Sequence, residues 1–285
     1  MSIDVTSGNS TVLASQIANL IVGPLQERSS FLAAGPRVID TNQPLRIPRV
    51  ASGSNTAFVA EGAEITEDNN WAFDEITLLP STLKSFKTLV KLSNELIRTA
   101  AVAIDSVLQQ QLVMDIAIAL DKAFFDGAGT SNTVKGIFQQ SGIATGVLDT
   151  TDVDSLWAAY TTAKNNFVDP THWVMTPAVY QAFRTIKVGE DDARYVFDPS
   201  NAVAAGQPTM LGLPVILSSH IPVASTKARV ALVDFNHVVV ARDLATEVKV
   251  LTERYAEFDT TAIRLVSRWD VGLTQAKAVT LLTEA

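Results

Sequence analysis

Along residues 102–126 the apolar positions recur at every fourth residue: Ile104, Leu108, Leu112, Ile116, Leu120 and Phe124, thickened by Val107, Val113, Ala117 and Ala123. That spacing belongs to a helix, because residues four apart share one helical face. No Gly or Pro interrupts the chain from Leu92 to Asp126, and its Ala, Leu, Gln and Met favour helix. At 1.5 Å per residue, Val102 to Phe125 makes a rod roughly 36 Å long, about the width of a domain. A step of four gains about 40° per turn on the 3.6-residue period, so the stripe winds. Its two ends must therefore bury against different neighbours. Gly127 and Gly129 offer a left-handed cap that ends the helix. The pattern predicts a spine on which both flanks of the chain pack; an ordinary core helix of a globular enzyme is the competing reading.

Before the spine the pattern is shorter in range. Residues 1–30 begin small and polar and turn weakly amphipathic from Val12 to Leu25, with a break at Gly23-Pro24. Too little apolar surface is present for a domain, so an extended arm with a short helical piece is expected. Phe31 to Val50 reads as two short strands punctuated by Gly35-Pro36, Pro44 and Pro48. Alternating segments then flank an acidic, turn-rich stretch from Glu61 to Asp74: Thr56 to Val59 before it, Phe73 to Leu79 and Leu83 to Leu92 after it. Two long strands joined by a wide tip form a hairpin. A hairpin alone is marginal in water, so this one is expected to lean on something outside its own fold.

After the spine, DGAGTSNTVKGIFQQSG is a loop. Asp152 to Phe167 is a second amphipathic helix, with Asp152 or Asp154 as N-cap and Leu156, Tyr160, Ala163 and Phe167 facing inward. Trp173 to Met175 is a strand, followed by a Pro-started helix from Thr176 anchored by Val179, Phe183 and Ile186. Arg194 to Phe197 and Leu213 to Leu217 read as strands joined by the loop DPSNAVAAGQPTMLG. Arg229 to Val233 and Val238 to Arg242 complete a compact α/β unit. From Glu247 the chain alternates again, and Ile263, Leu265, Val271 and Leu273 line one face of a half-buried sheet.

Composition narrows the function classes. The 285 residues suffice for one large or two ordinary domains, and no apolar run reaches membrane-spanning length. The first residues lack the basic start and small-residue cleavage site of a signal peptide. There is no cysteine, which excludes disulfides and thiolate metal sites. The net charge of −8 and the absence of any Lys/Arg cluster argue against sequence-specific nucleic-acid binding. The three histidines, His172, His220 and His237, include no helical metal pair, and each reads as structural or surface-exposed. No nucleophile elbow, Walker A loop or H-E-x-x-H is present. Gly127-x-Gly129 follows a helix rather than a strand and has Asn132 at the third glycine position, which removes a dinucleotide loop. Glu190-Asp191-Asp192 reads as a solvated turn before it reads as a cation site. Glu61, Glu64, Glu67 and Asp68 read as surface charge on the hairpin tip. No catalytic, cofactor-binding or metal residue is assigned, and no cofactor is expected.

The order of these parts resembles the major capsid proteins of tailed bacteriophages, the Hong Kong 97 fold. FVAEGAEITEDN is similar to that family's extended-loop strand and tip. VKLSNELI leads into the spine as in the family, and ALDKAFFDGAG followed by VKGIF is similar to its helix end. WVMTPAVYQAFRTIK, RYVF and MLGLPVILSSHIP resemble the core of its axial domain, and VARDLATEVKVLTERYAEFDTTAIRLVSRWDVGLTQAKAVTLL its closing strands. The resemblance implies an α+β subunit in six parts. These are an N-terminal arm (1–30), the first part of a peripheral domain (31–49) and an extended β-hairpin loop (50–86). A spine helix (87–129), an inserted α/β axial domain (130–243) and C-terminal strands of the peripheral domain with its sheet (244–285) follow.

It also implies the function: a non-enzymatic coat protein that assembles through hexamers and pentamers into an icosahedral shell around double-stranded phage DNA. Its partners would be copies of itself, portal and scaffolding proteins and a decoration protein, with non-specific contact with packaged DNA and no membrane. Its place would be the virion, after assembly in the host bacterial cytoplasm. Because Met1 stands almost at the arm, any scaffolding segment is expected to be a separate protein or to have been removed already. An encapsulin-type nanocompartment shell is the alternative within the same fold, and a soluble enzyme is the remote one. Some relatives weld a hairpin-tip lysine to an asparagine near the C-terminus. Here Glu61 through Leu79 contains no lysine, the nearest being Lys84 and Lys87. Thr252 through Leu273 contains no asparagine, and the matching position is Thr261. Non-covalent shells are therefore expected.

Overall fold

The computed structural model describes residues 29–52, 58–59, 62, 72–95, 104–189, 194–197, 203–204, 207–221, 227–243, 247–251 and 253–285. Residues 1–28 of the expected arm (1–30) and the acidic tip residues Glu61, Glu64, Glu67 and Asp68 lie outside them, as do Glu190, Asp191 and Asp192. In chain order the first elements are α1 (Ser30–Ala33), β1 (Arg37–Asp40), β2 (Leu45–Ser52), β3 (Ala72–Leu78), β4 (Phe86–Ser93) and α2 (Ile104–Asp126). Next come β5 (Ala144–Leu148), α3 (Asp154–Asn165), β6 (His172–Met175), α4 (Pro177–Arg184), β7 (Val203–Ala204), β8 (Gln207–Met210) and β9 (Leu213–Leu217). The last are β10 (Arg229–Val233), β11 (Val238–Arg242), β12 (Glu247–Leu251), β13 (Thr260–Ser267), β14 (Trp269–Leu273) and β15 (Val279–Glu284).

Two cores share one wall. The seven-stranded sheet runs β5-β15-β10-β6-β9-β8-β7, and alternate residues of its central strands point to opposite faces. Trp173 and Met175 on β6, Val230 and Leu232 on β10 and Leu282 on β15 bury against α3 and α4 through Leu156, Ala163, Val179 and Phe183. Val174, Ala231, Val233 and Leu281 point the other way, into the core around α2. There Ile116, Ala117, Leu120, Phe124 and Phe125 of the spine stripe are buried. Phe31 sits at the centre, its ring centroid 5.1 Å from those of both Phe124 and Phe125 and 5.6 Å from that of Phe235. Trp269 closes the cluster 6.3 Å from Phe124.

Several expectations need correcting. Phe31 and Leu32 form a turn of helix instead of a strand, because Ser29 caps it: its hydroxyl accepts from Leu32 N at 3.1 Å. The hairpin pairs β2 with β3, Leu45 opposite Leu78 and Arg49 opposite Asp74, so it starts at residue 45 and takes Pro48 into its first strand. Pro is tolerated there because the ribbon has only two strands and each has an open edge. Phe86–Ser93 does not return along the hairpin; it pairs with β13, Ser93 opposite Thr260 and Phe86 opposite Ser267. Strand β4 thus crosses the 86/87 boundary and runs one residue past the expected segment ending at Leu92.

Around Tyr195 only an isolated bridge to Lys187 forms, whereas the expected loop at 198–212 contains β7 and β8. Sheet membership crosses the 243/244 boundary as well. β11 lies between β1 and β14, apart from the seven-stranded sheet, while β15 lies inside that sheet between β5 and β10. At the end of α2 the left-handed residue is Gly129 (φ 66°). Gly127 answers a different need: a Cβ there would stand 2.4 Å from Val134 O and 2.5 Å from Ala123 O. Phe167, expected inside, is almost fully exposed, for a reason taken up below.

Candidate assembly surfaces

Among the described residues no group of three or more His, Asp or Glu could hold a metal ion. The histidines are placed separately, each with local partners. His172 Nδ1 is 3.0 Å from Thr171 Oγ1, and burial pushes the ring's pKa below its usual range. His237 Nδ1 lies 3.0 Å from Thr274 Oγ1, and the backbone N of His220 donates to Ser218 Oγ at 3.3 Å. What the side chains do build is a set of anchors, two of them on buried aspartates, that hold Ser29–Phe31 and the hairpin root at Leu79 to the core.

The first anchor is Asp121, buried on α2. Ser29 Oγ donates to its Oδ1; Ser30 N and Oγ donate to its Oδ2 at 2.9 and 2.6 Å, and Phe31 N to Oδ1 at 3.3 Å. A carboxylate in the middle of an apolar helix face is costly unless its oxygens are satisfied. Here they close the otherwise open N-terminal amides of α1. A cavity of about 190 Å³, lined by Met114, Ala117, Ile118, Asp121 and His220, opens beside this grip.

The second anchor is at the hairpin root. Asp270 on β14 is buried and accepts from Leu79 N and from Val271 N, each at 2.9 Å. Burial raises its pKa above the usual carboxylate range, against the lowering effect of those two amides and of Arg268. Leu79 is held in the left-handed region (φ 51°), and Arg268 Nη2 donates to Pro80 O at 2.9 Å. The strands just before this turn lie flat on Gly272: a Cβ there would stand 2.8 Å from Leu78 Cδ2 and 3.1 Å from Ile76 Cγ2. Leu45, Ile47 and Ile76, each partly buried, pack against the main core. Beyond them the hairpin turns to solvent, with Phe73 75% exposed and the Arg49–Asp74 and Arg46–Glu75 pairs on its surface.

Other ion pairs join the two cores and the sheets. Arg229 on β10 reaches Asp126 at the end of α2 at 2.8 Å, and Gln139 Nε2 donates to the same carboxylate at 2.6 Å. Arg242 grips Asp40 with two nitrogens, at 2.5 and 2.6 Å, across the parallel β1–β11 pair. The guanidinium holds the Asp40 carboxyl below its usual pKa. Thr261 faces Leu92 on β4 and donates to Asn94 Oδ1 at 2.7 Å. Lys87 stands opposite Val266 in the same sheet. Sequence reasoning missed Asp121 and Asp270. Their signal was a single acid inside an apolar run, ALDKAFF and RWDVGL.

The model of the phage capsid family matches residues 9–283. The chain belongs to that family. It is 26% identical over 300 aligned residues to a major capsid protein of Klebsiella oxytoca phage phiKO2, covering 98% of this chain and 66% of that protein. It is 27% identical to a capsid polyprotein of Pseudomonas phage PAJU2, covering 82% of this chain and 36% of the polyprotein. The chain thus spans just under two thirds of the first relative and about a third of the second. Among solved structures, the capsid of an empty GTA particle superposes with a TM-score of 0.73 at 18% identity, over 90% of this chain and 91% of that one. A chain from Mycobacterium phage Adephagia gives a TM-score of 0.70 at 16% identity, over 90% of each chain. The family's fold is the Hong Kong 97-like α+β fold expected from the sequence.

Proposed function

We propose that this chain is the subunit of a phage shell, a structural protein with no catalytic role, whose copies assemble through hexamers and pentamers around double-stranded DNA. The observation that carries the reading is the hairpin, latched to the core at its root yet turned to solvent beyond Ile76, in a chain of the phage capsid family. A ribbon of two strands gains little from standing alone, and a neighbouring subunit supplies the surface that it lacks. In this reading the seven-stranded sheet with α3 and α4 is the axial part. α2 with the β1-β11-β14 and β12-β13-β4 sheets is the peripheral part. The alternative of an encapsulin-type compartment has less support, since the relatives and neighbours named above are phage capsids and a GTA particle.

Portal, scaffolding and decoration proteins are the further partners proposed, with assembly in the host cytoplasm before the virion is complete. The net charge of −8 suits a container that must not grip its polymer. Neither half of the lysine–asparagine weld is present at the matching positions, so apolar burial between subunits, at about 25 cal/mol per Å², holds the shell together. Expression followed by electron microscopy tests the reading: closed shells are expected, and a small oligomer without shells refutes it. Boiled particles should run as one band near 30.6 kDa on a denaturing gel, and a ladder would refute the absence of covalent links. Particles from infected cells should contain DNA, where a compartment shell would hold a cargo protein.

A further inference from the structure

Phe167 is the least economical residue of the α/β unit as far as the subunit's own fold is concerned. It follows α3 at the position where helices end in a left-handed residue: Phe167 N donates to Lys164 O at 2.9 Å and Val168 N to Ala163 O at 3.0 Å. That pair of bonds is a Schellman cap, whose left-handed position usually holds Gly. Here the position carries a phenylalanine at φ 57°, a strained conformation for a bulky side chain, with its ring 96% exposed. A glycine would make the same turn without strain, so nothing within the subunit asks for the ring. Trp157 stands on the exposed side of the same helix, 52% exposed, with its ring edge-on to Tyr160 at 6.1 Å. Asp169, gripped by Lys164, lies beside Phe167 with its side chain 91% exposed.

At the other end of α3 an open groove of about 610 Å³ runs between Thr151, Ala182, Thr185, Ile186, Lys187 and Gly189. Ala182 and Ile186 are its apolar lining, beside Thr150 and the two other threonines, and among the described lining residues Lys187 carries the charge. The 12-residue helix keeps the knob and the groove about 18 Å apart, so one subunit cannot fill its own groove. Two complementary patches at opposite ends of one element suit a head-to-tail contact, the kind that closes into a ring.

We propose that Phe167 of one subunit seats in the Ala182–Ile186 groove of the next, with Asp169 facing the neighbour's Lys187, and that this contact links the α/β units around a capsomer. The inference rests on the shell-forming reading and names the surface that joins neighbours. Burial of the phenyl ring strengthens association about tenfold or more per contact. The absence of cysteine makes the test clean. A chain carrying both Phe167→Cys and Thr185→Cys, assembled and oxidised, should give a ladder up to the ring size on a non-reducing gel, collapsing to monomer on reduction. Phe167→Gly should melt at a higher temperature as a subunit and assemble at least tenfold less well.

Shells that form without the disulfide ladder, or Phe167→Gly subunits that assemble as well as the parent, overturn the contact and leave the shell reading standing. Disulfide-linked rings that never close into shells keep the contact and remove the shell. Parent protein that forms neither rings nor shells removes both.

Discussion

Ser29–Phe31 and the hairpin root at Leu79 are each held by a buried aspartate, but the two grips differ in kind. Asp121 projects from the C-terminal part of a long helix and takes donors from three consecutive residues, two hydroxyls and two amides. Asp270 projects from strand β14 and takes one amide from the hairpin root, spending its other oxygen on Val271 N of its own strand. Three consecutive residues gripped at once fix both position and direction. One amide, beside a left-handed Leu79, fixes position alone. The Ser29–Phe31 grip is thus a clamp and the hairpin root is nearer to a pivot, backed by Arg268 on Pro80 O and by the flat seat on Gly272.

The strongest way to break that contrast is Asp121→Ala. It strands buried donors from Ser29, Ser30 and Phe31, each costing about 1–3 kcal/mol. We expect a loss of about 3 kcal/mol or more, read as a fall in melting temperature of roughly 6 °C or more. Gly272→Val comes next. Its branched side chain meets Leu78 and Ile76, and overpacking of this order costs about 1–3 kcal/mol. The subunit should stay folded by circular dichroism while protease cutting within residues 45–78 accelerates; unchanged cutting would show that the hairpin does not depend on the seat.

Asp270→Asn sharpens the difference through pH. Burial raises the folded-state pKa of Asp270 above its unfolded value, so on raising the pH the unfolded chain loses that proton first. The group's contribution to stability is therefore full below about pH 4 and declines as pH rises through the raised pKa. The amide variant carries no such proton and gives up one backbone bond, about 1 kcal/mol. Its deficit against the parent should narrow between pH 4 and pH 7 in denaturant titrations, and a deficit that widens would contradict the burial argument. Smallest of all is Arg49→Ala, which removes an exposed pair with Asp74 on the outer hairpin. No measurable change in subunit stability is expected, because solvent screens such pairs.

How far the sequence exposed this molecule depends on where each element finds its partner. The spine was legible because its period is local, and Ile116, Leu120 and Phe124 are buried as the step of four required. β4 was legible as an alternating strand, but its partner was misread, because KTLVKLS pairs with β13, whose Thr260 lies 167 positions beyond Ser93. β11, VVVAR, is apolar at every position but the last and buried on both faces, so no alternation could say which sheet would take it. Phe167 continued a helical spacing from Tyr160 and Ala163, but the helix ends at Asn165 and the next residues turn the ring outward. The two anchoring aspartates were hidden by the same logic: a lone acid in an apolar run looks like a surface interruption until its distant donors are known.

The place of β15 inside the seven-stranded sheet sets a clock on synthesis. β5 is made early in the α/β unit, yet its partner in the sheet is β15, with Ala144 beside Thr280, 136 positions later. At about 5–20 residues per second a ribosome needs roughly 7–27 s to cover that distance. Throughout it β5 lacks its only neighbour in the sheet and β10 lacks one of its two. A nascent chain in this interval exposes strand edges and half a core to every other chain on the same message. Subunits can then be recruited into larger structures only as finished units, since residues 279–284 must be in place before the wall between the two cores exists.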